Sequence, residues 1–135
     1  MSGWDRIDAQ PRRSVPLERA LIPDVPGVYA LYRDGERMYV GKATSLRTRV
    51  GNQHGSEGAS MTNSALRRNV CEHLRIASAA DIGQRRYRTT AVDAAKVSAW
   101  LAGCEFAWIE CETPAEALAL ETALRSEFKP PLNRL

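Results

Sequence analysis

A short turn signal between two β-prone runs places the strongest constraint on the fold of this chain. Asp34-Gly35 separates Val28–Arg33 from Arg37–Val40, and both runs are rich in β-branched and aromatic residues. An Asp-Gly pair between such runs is the strongest short-range signal for a β-hairpin. Any fold of the chain must therefore hold these two strands side by side and antiparallel.

The register of this hairpin decides where its two central tyrosines lie. Tyr29 and Tyr39 belong to the tripeptides Gly-Val-Tyr and Tyr-Val-Gly. A two-residue loop would pair Ala30 with Tyr39 and send the two rings to opposite faces, because side chains alternate along a strand. A three-residue loop, Asp34-Gly35-Glu36, would pair Leu31 with Tyr39 and bring both rings to one face. We expect the three-residue loop, because only that register creates a shared site.

Caps, breakers and hydrophobic spacing predict the remaining elements. Met1–Pro16 shows no clear period and is expected to be a loose lead-in. The other expected elements are a helical turn at Leu17–Leu21, a helix from Ser45 to about His54, a loop at Gly55–Ser60, a helix capped by Thr62 or Asn63 and running to about Ile76, a helix at Asp93–Leu101, a strand at Glu105–Cys111, and a helix from Thr113 to about Phe128. In the helix that Ser45 caps, Leu46 and Val50 are expected to face inward because they are four residues apart. In the last helix, Thr113 is the expected cap, Pro114 the first helical residue and Glu116 the third. The predicted fold class is α/β (α+β), with a small mixed, mainly antiparallel sheet of about three strands flanked by helices.

The size and composition of the chain are those of one globular domain. It has 135 residues, of which 44% are hydrophobic and 26% charged. This length can bury a core without disulfides or structural metal. We expect a lead-in over residues 1–22 and a single domain over 23–135. No apolar run reaches the length of a membrane span, and Met1–Arg13 does not read as a signal peptide.

Three cysteines, Cys71, Cys104 and Cys111, show no CxxC spacing. An odd number without that spacing argues against zinc and against a disulfide framework. Buried free thiols in a reducing cytoplasm are the expected state, and the predicted location is therefore cytoplasmic.

Positive charge is concentrated in two parts of the sequence. The formal net charge is +3, and between Arg67 and Arg88 there are six arginines against two acids. Such gatherings are typical of proteins that bind a phosphate backbone, although a solvated helix face would look the same. The candidate nucleic-acid contacts are Lys42, Arg47, Arg67, Arg68, Arg75, Arg85, Arg86 and Arg88.

Glu121 occupies an unusual place on the last predicted helix. Ala117, Leu120, Leu124 and Phe128 form an inward stripe, and Glu121 falls roughly 40° from its middle at about 100° per residue. A carboxylate facing the core side must be paired, hydrogen-bonded or bound to a metal. A salt bridge to an arginine and a divalent-metal site are both open at this point.

Other polar residues gain meaning only through their joint spacing. A strand tyrosine is often filler, Arg49 and Lys42 are often solvated, and Asn133 can simply brace the tail. His54 is equally well interpreted as a proton acceptor or as a solvated histidine near a helix C-terminus. Together, two phenols, a guanidinium, a carboxylate and an amide suit metal-assisted cleavage of a phosphodiester.

Two stretches of the chain resemble the GIY-YIG endonuclease superfamily. They are PGVYALYRDGERMYVGKATSLRTRV, which carries both name-giving motifs as GVY and YVG, and FAWIECETPAEALALETALRSEFKPPLN. The resemblance runs from about Pro26 to Asn133. Many relatives have a histidine or tyrosine four residues after the arginine, whereas this chain has Gln53 there and His54 next. The long spacing from Arg49 to Glu121 predicts a basic helical insertion at about 55–103.

The resemblance implies a role for each candidate residue. Glu121 would bind a single Mg²⁺ or Mn²⁺, and Tyr29 and Tyr39 would line the site, with Tyr29 helping to deprotonate the attacking water. Arg49 would neutralise the scissile phosphate and Lys42 would assist, while Asn133 would brace the site. The expected function is metal-dependent endonucleolytic cleavage of DNA. A nucleic-acid-binding module that cuts slowly or not at all is the alternative, and a protein-interaction domain explains neither Glu121 nor the arginines.

Overall fold

The computed structural model describes residues 2–15, 17–54, 61 and 64–134, with the side chains of residues 52–54 excepted. The expected loop at Gly55–Ser60 and the expected helix caps Thr62 and Asn63 lie outside the described residues.

An antiparallel sheet organises the fold. In the described residues its strands are β1 (Arg13–Ser14), β2 (Gly27–Arg33), β3 (Glu36–Ala43) and β4 (Cys104–Glu110). These four strands lie in the order β1-β4-β2-β3, with β3 at one edge. The predicted fold class is confirmed, and β1 is the strand beyond the expected three. It is two residues long and pairs with β4, too short to leave a period in the sequence.

The β2–β3 hairpin has the expected pairing but a different turn. Leu31 pairs with Tyr39, so both central tyrosines lie on one face. The three-residue loop is wrong: Asp34 and Gly35 form a two-residue turn with φ values of 53° and 78°, and the next pair is Arg33 with Glu36. The register shift comes instead from a β-bulge that leaves Met38 unpaired.

Helices cover both faces of the sheet. They are α1 (Gly3–Asp8), a 3₁₀ turn (Arg19–Leu21), a π-helix (Arg47–His54), α2 (Ala65–His73), α3 (Ala79–Gly83), α4 (Ala91–Ala102), α5 (Pro114–Glu127) and a 3₁₀ turn (Pro131–Arg134). Ser64 caps α2, one residue after the expected caps, because its hydroxyl accepts from the Arg67 N–H. Among the described residues of the segment 55–103, which the sequence predicted to be an insertion of two or three basic helices, lie α2, α3 and α4; the short α3 was not predicted as a separate element.

The N-terminal segment is ordered rather than loose. Ser2 and Asp5 form a capping box for α1, and Trp4 and Ile7 are fully buried. The Trp4 indole N–H donates to the Leu124 carbonyl oxygen at 2.8 Å, which fastens α1 to α5. Asp8 accepts hydrogen bonds from Tyr32 and Arg37. Six helical residues are too few to show a period, but the capping box was readable in the sequence.

Each face of the sheet has its own hydrophobic core. Leu31 and Phe106 lie in the first core, which α2 and α4 cover. Val28 and Ala30 lie in the second, which α1 and α5 cover. On α5, Ala117 and Leu124 are buried as expected, whereas Phe128 lies past the helix end and is 36% exposed.

The three cysteines are buried and free, as expected. Within the described residues, no helix is both long and apolar enough to cross a bilayer.

Candidate active site

Tyr29 and Tyr39 form the centre of the candidate site. Tyr29 is 1% exposed and Tyr39 9% exposed, and their ring centroids lie 6.2 Å apart. The two hydroxyls share a hydrogen bond, which adds to the burial that raises the pKa of Tyr29 and partly offsets the burial that raises the pKa of Tyr39. Those opposite signs are expected if Tyr29 donates and Tyr39 accepts. The pair is thus a small, ordered polar group within the hydrophobic core.

Gly41 makes room for the Tyr29 ring. Tyr29 lies directly opposite Gly41 across the β2–β3 ladder. A Cβ atom built on Gly41 would lie 2.5 Å from the Cζ atom of Tyr29, far inside any normal contact distance. Because β3 is the edge strand, the missing side chain lets the Tyr29 hydroxyl reach the edge of the sheet. The two tripeptides GVY and YVG therefore meet as one packing unit.

Arg49 approaches the tyrosines from the π-helix. Ser45 starts this segment, since its hydroxyl accepts from the Thr48 N–H at 3.2 Å. Leu46 and Val50 are fully buried, as their four-residue spacing predicted. Arg49 is half-buried between them.

The electrostatics of the two phenols place Arg49 and Glu121 beside them. Burial is the largest cause raising the pKa of Tyr29 well above its ordinary value, and Arg49 opposes the rise while Glu121 adds to it. Burial and then Glu121 raise the pKa of Tyr39, and Arg49 again opposes them. The structure thus brings together four of the predicted site residues, with their charges felt at both hydroxyls.

Glu121 is the acid of this site. Thr113 caps α5 and Pro114 occupies its first turn, as predicted, which sets the position of Glu121 along the helix. Its side chain is only 14% exposed, and its Oε1 atom lies 3.9 Å from the Arg125 guanidinium. An ion pair with an arginine was one of the two alternatives that the sequence left open, and the spacing of four residues on one helix could have named Arg125 as the partner.

The donor set at Glu121 is compatible with a hard divalent cation. A carboxylate oxygen is a preferred ligand of Mg²⁺, and the phenol oxygens beside it are further oxygen ligands or water-binding groups. Among the described residues, no group of three or more His, Cys, Asp or Glu side chains is placed to hold a metal. A cation at Glu121 would therefore have one carboxylate ligand and keep most of its water.

Lys42 and Arg49 share a cavity. It has a volume of about 290 Å³ and is also lined by four residues from the start of α5, namely Pro114, Ala115, Ala117 and Leu118. Lys42 is exposed, and the lining contains two cations and no acid. The cavity therefore favours an anionic group.

Asn133 holds the edge strand rather than pointing at the phenols. Its Oδ1 atom accepts from the Val40 N–H at 2.8 Å, and its Nδ2 atom donates to the Val40 carbonyl oxygen at 2.9 Å. Val40 lies between Tyr39 and Gly41 on β3, and both of its backbone polar groups bond to Asn133. Asn133 thus fixes the backbone that carries one of the two tyrosines.

His54 ends the π-helix, and its side chain is outside the described part of the structure. Its expected role remains a prediction.

The predicted nucleic-acid contacts fall into several environments. Arg67 is 2% exposed and donates to Ser98, so it faces the interior. Arg47 donates to the Ile22 carbonyl oxygen at 2.8 Å and braces the chain before β2. Arg86 pairs with Asp81 at 2.8 Å, while Arg68 is half-buried and packs on Gly83. The exposed remainder consists of Lys42, Arg75, Arg85 and Arg88.

Comparison with known proteins gives a family match and several structural likenesses. The model of the GIY-YIG catalytic domain matches residues 28–134. The chain is similar to the GIY-YIG N-terminal endonuclease domain of UvrC from Thermotoga maritima bound to magnesium, with 20% identity over 85% of this chain and 90% of that one, and a TM-score of 0.46. A tyrosine-to-phenylalanine variant of that domain gives 20% identity, 85% and 89% coverage and a TM-score of 0.46. An asparagine-to-alanine variant gives 19% identity over 84% of this chain and 88% of that one, with a TM-score of 0.43.

A search of curated protein sequences found no match. The matched family segment covers well over half of the chain and contains every candidate site residue from Tyr29 to Asn133. The chain therefore belongs to the GIY-YIG catalytic domain family.

Proposed function

We propose that this protein is a divalent-metal-dependent endonuclease that hydrolyses phosphodiester bonds of DNA, with Mg²⁺ or Mn²⁺ as the cation. The observation that carries the proposal is the convergence of Tyr29, Tyr39, Arg49 and Glu121 in one electrostatic neighbourhood. Cleavage of a phosphodiester needs positioning and charge compensation more than covalent help. These side chains supply both.

Glu121 is the residue that would hold the cation. When bound, the cation polarises a phosphate oxygen and acidifies a bound water. The low exposure of the carboxylate and the absence of a closer partner than Arg125, at 3.9 Å, among the described residues support this role. Because one carboxylate is the ligand, most of the coordination sphere is left to water and substrate.

Arg49 and Lys42 would bind the scissile phosphate. Both line the cavity of about 290 Å³, and Arg49 also acts electrostatically on the two tyrosines. A guanidinium offers two parallel N–H groups to two phosphate oxygens, and an ammonium adds a further charge. The two cations therefore orient the phosphate and offset the charge that develops in the transition state.

The two phenols act as hydrogen-bonding groups in this proposal. Burial raises the pKa of both, most strongly that of Tyr29, so both stay protonated at neutral pH. In this proposal Tyr29 donates to Tyr39, and the Tyr39 hydroxyl is the group of the pair that meets water or a phosphate oxygen. We infer that the pair orients the attacking water and a phosphate oxygen, and that Tyr29 does not act as a phenolate base.

A plasmid-nicking assay tests the function. Supercoiled plasmid incubated with the protein and Mg²⁺ or Mn²⁺ is expected to be nicked, and the Glu121→Gln variant is expected to bind the plasmid but nick it at least about 100-fold more slowly. Glu127→Gln is the matched control on the same helix, because Gln keeps the acceptor that Glu127 offers to the Gly3 N–H. If Glu121→Gln nicks as fast as the control, Glu121 is not the metal ligand.

One observation favours the alternative of a weakly catalytic nucleic-acid-binding module. The Arg125 guanidinium lies 3.9 Å from Glu121 Oε1, so a cation would have to compete with it for the carboxylate. A wild-type protein that binds plasmid but does not nick it with either metal would support this alternative. Nicking that appears in Arg125→Ala alone would identify the ion pair as the cause.

A further inference from the structure

We propose that a second surface of the protein binds the phosphates of a nucleic-acid strand outside the tyrosine site. We call it the arginine surface and define it by Arg75, Arg85, Arg88 and Lys96. The proposal rests on the proposed function in one respect, since it takes the substrate to be a nucleic acid. It differs in naming a surface that acts in binding and makes no contact with the reacting phosphate.

Two adjoining cavities form the arginine surface. The larger has a volume of about 680 Å³ and is lined by Arg75, Lys96 and Trp100 among others. The smaller, of about 450 Å³, is lined by Arg85 and Arg88. Tyr87 lines both cavities and forms the wall between them. An aromatic ring among cations is the composition of surfaces that follow a nucleic-acid backbone.

The position of Tyr87 is fixed from behind. Its hydroxyl donates to the Asp93 carboxylate at 2.8 Å, and the same carboxylate accepts from the Thr90 N–H at 2.9 Å. Asp93 is 8% exposed and caps α4. Asp93 itself lines the larger cavity, but its carboxylate is engaged in holding Tyr87 and the start of α4.

The cations of this surface form no salt bridge in the described part of the chain, and Asp93 is the acid that acts on one of them, Lys96. The salt bridges found there are Arg37 with Asp8, Arg86 with Asp81, and Arg125 with Glu121. None involves a member of the arginine surface, and all four members are exposed. Four exposed charges of one sign around two cavities produce a field that attracts a polyanion.

Two of these arginines occupy backbone positions that normally favour glycine. Arg75 follows α2 with φ 60°, and Arg85 follows α3 with φ 61°. Hydrogen bonds from the Ile76 N–H to the Cys71 carbonyl oxygen and from the Arg86 N–H to the Asp81 carbonyl oxygen complete the same helix-ending motif at both sites. A residue with a Cβ atom is less stable than glycine in this conformation. Arginine at both positions is therefore less favourable for stability than glycine, while its side chain lines a cavity.

The arginine surface lies on the side of the sheet that carries the tyrosines. Arg33 lines the larger cavity, and it projects from the same face of β2 as Tyr29, four residues earlier. At about 3.3 Å per residue the two positions are about 13 Å apart along the strand, close to four base steps of about 3.4 Å. A nucleic acid engaged at the tyrosines can therefore extend to the arginine surface.

The test replaces both strained arginines by the residue that their backbone prefers. The Arg75→Gly/Arg85→Gly variant is compared with Arg6→Gln/Arg12→Gln, which removes two exposed charges from the N-terminal segment. Binding of a fluorescent 20-base-pair duplex is measured by anisotropy in EDTA over a range of salt concentrations, so that neither metal nor cleavage contributes. We expect the log–log salt slope of the glycine variant to fall by about 1.8, which is about 0.9 for each lost phosphate contact. The control variant should keep the wild-type slope.

Thermal unfolding separates a binding role from a structural one. The glycine variant should melt at or above the wild-type temperature, because the backbone strain at both positions is relieved. Weaker binding with a lower melting temperature would overturn the proposal in favour of a structural role. An unchanged salt slope would overturn it as well.

Three further outcomes are decisive: the first tests the class of ligand, and the other two separate the inference from the proposed function. If polyglutamate competes with the duplex at the same charge concentration and loses affinity equally in the glycine variant, the surface fits an acidic protein and the proposal fails. If the salt slope is unchanged while Glu121→Gln still abolishes nicking, the arginine surface is refuted and the nuclease assignment stands. If the slope falls but the wild-type protein does not nick, the surface stands and the nuclease assignment fails.

Discussion

Asn133 forms two hydrogen bonds to the backbone of Val40 on the edge strand, which we call the clamp. Replacing Asn133 by aspartate changes one of its two hydrogen-bonding groups. The aspartate keeps an oxygen to accept the Val40 N–H, but its second oxygen replaces an amide that donates to the Val40 carbonyl oxygen at 2.9 Å. At pH 7 two oxygens would then face each other, one of them charged. In Asn133→Ala both hydrogen bonds are lost without repulsion.

Worked from these two bonds, the alanine variant should lose about 2 kcal/mol of unfolding free energy, at roughly 1 kcal/mol per bond. The aspartate variant should lose about 3 kcal/mol at pH 7, one bond plus the cost of an unpaired, partly buried acceptor. Urea unfolding followed by circular dichroism at matched pH values measures both losses against the wild-type protein.

The aspartate deficit should depend on pH in a defined direction. Once protonated, the carboxyl group introduced by Asn133→Asp can again donate to Val40, so the folded state favours the neutral acid and its pKa rises above the unfolded value of about 3.9. The folded variant then binds more protons than the unfolded one, and its deficit shrinks as the pH falls through the folded pKa towards about 4. The alanine deficit should not change. An aspartate variant as stable as wild type at pH 7, or a deficit that is the same at pH 4 and pH 7, would refute the clamp.

Three further perturbations follow from the packing and charge of the fold. Gly41→Ala should lower the unfolding free energy by about 1–3 kcal/mol, because the new Cβ overlaps the Tyr29 ring. In thermal melts, adding Gly41→Ala to the Tyr29→Ala variant should cost less stability than adding it to the wild-type protein. Strictly additive losses for the two substitutions would contradict the contact. Burial opposes the shift, but the hydrogen bonds from its partners hold the Asp8 pKa below its ordinary value, so Asp8→Asn should be less stable than wild type at pH 7 and lose that difference as the pH falls below about 4. A urea midpoint difference that persists at low pH would contradict it. Arg125→Ala removes the ion pair with Glu121. It should lower the Mg²⁺ concentration for half-maximal nicking by up to about fivefold, given roughly 1 kcal/mol for a partly exposed pair. An unchanged or higher Mg²⁺ requirement would show that the pair does not compete with the metal.

Local signals predicted much of the fold because they act within a few residues. The Thr113 cap, the following proline and the Glu116 contact place the start of α5 where the structure has it. Alternating residues from Phe106 to Glu110 place β4. In each case the physics is a cap or a period that depends only on neighbours in the chain.

The hairpin shows a correct pairing reached through a wrong turn. Both tyrosines lie on one face only if one extra residue between them shifts the register by one. Our prediction put that extra residue in the loop. The structure places it at Met38, because Asp34 and Gly35 can both adopt positive φ and close a two-residue turn. Turn and bulge are equivalent in register, and the sequence does not distinguish them.

The partners of the site residues depend on contacts between distant parts of the chain. The sequence indicated that Asn133 braces something, but not that its partner is the backbone of Val40, 93 positions away. Likewise Arg67 was grouped with the exposed arginines, although the helix it belongs to turns it inward. Charge density along a sequence cannot separate a buried guanidinium from an exposed one.

The contact between Tyr29 and Gly41 has a consequence for how this family of sequences can drift. A ring on one strand fills the space that a bare backbone leaves on the other, so neither position can be exchanged alone without a collision or a hole. Substitutions at the first and second tripeptides are therefore expected to arise as matched pairs. The two name-giving motifs would be inherited as a single unit rather than as two independent ones.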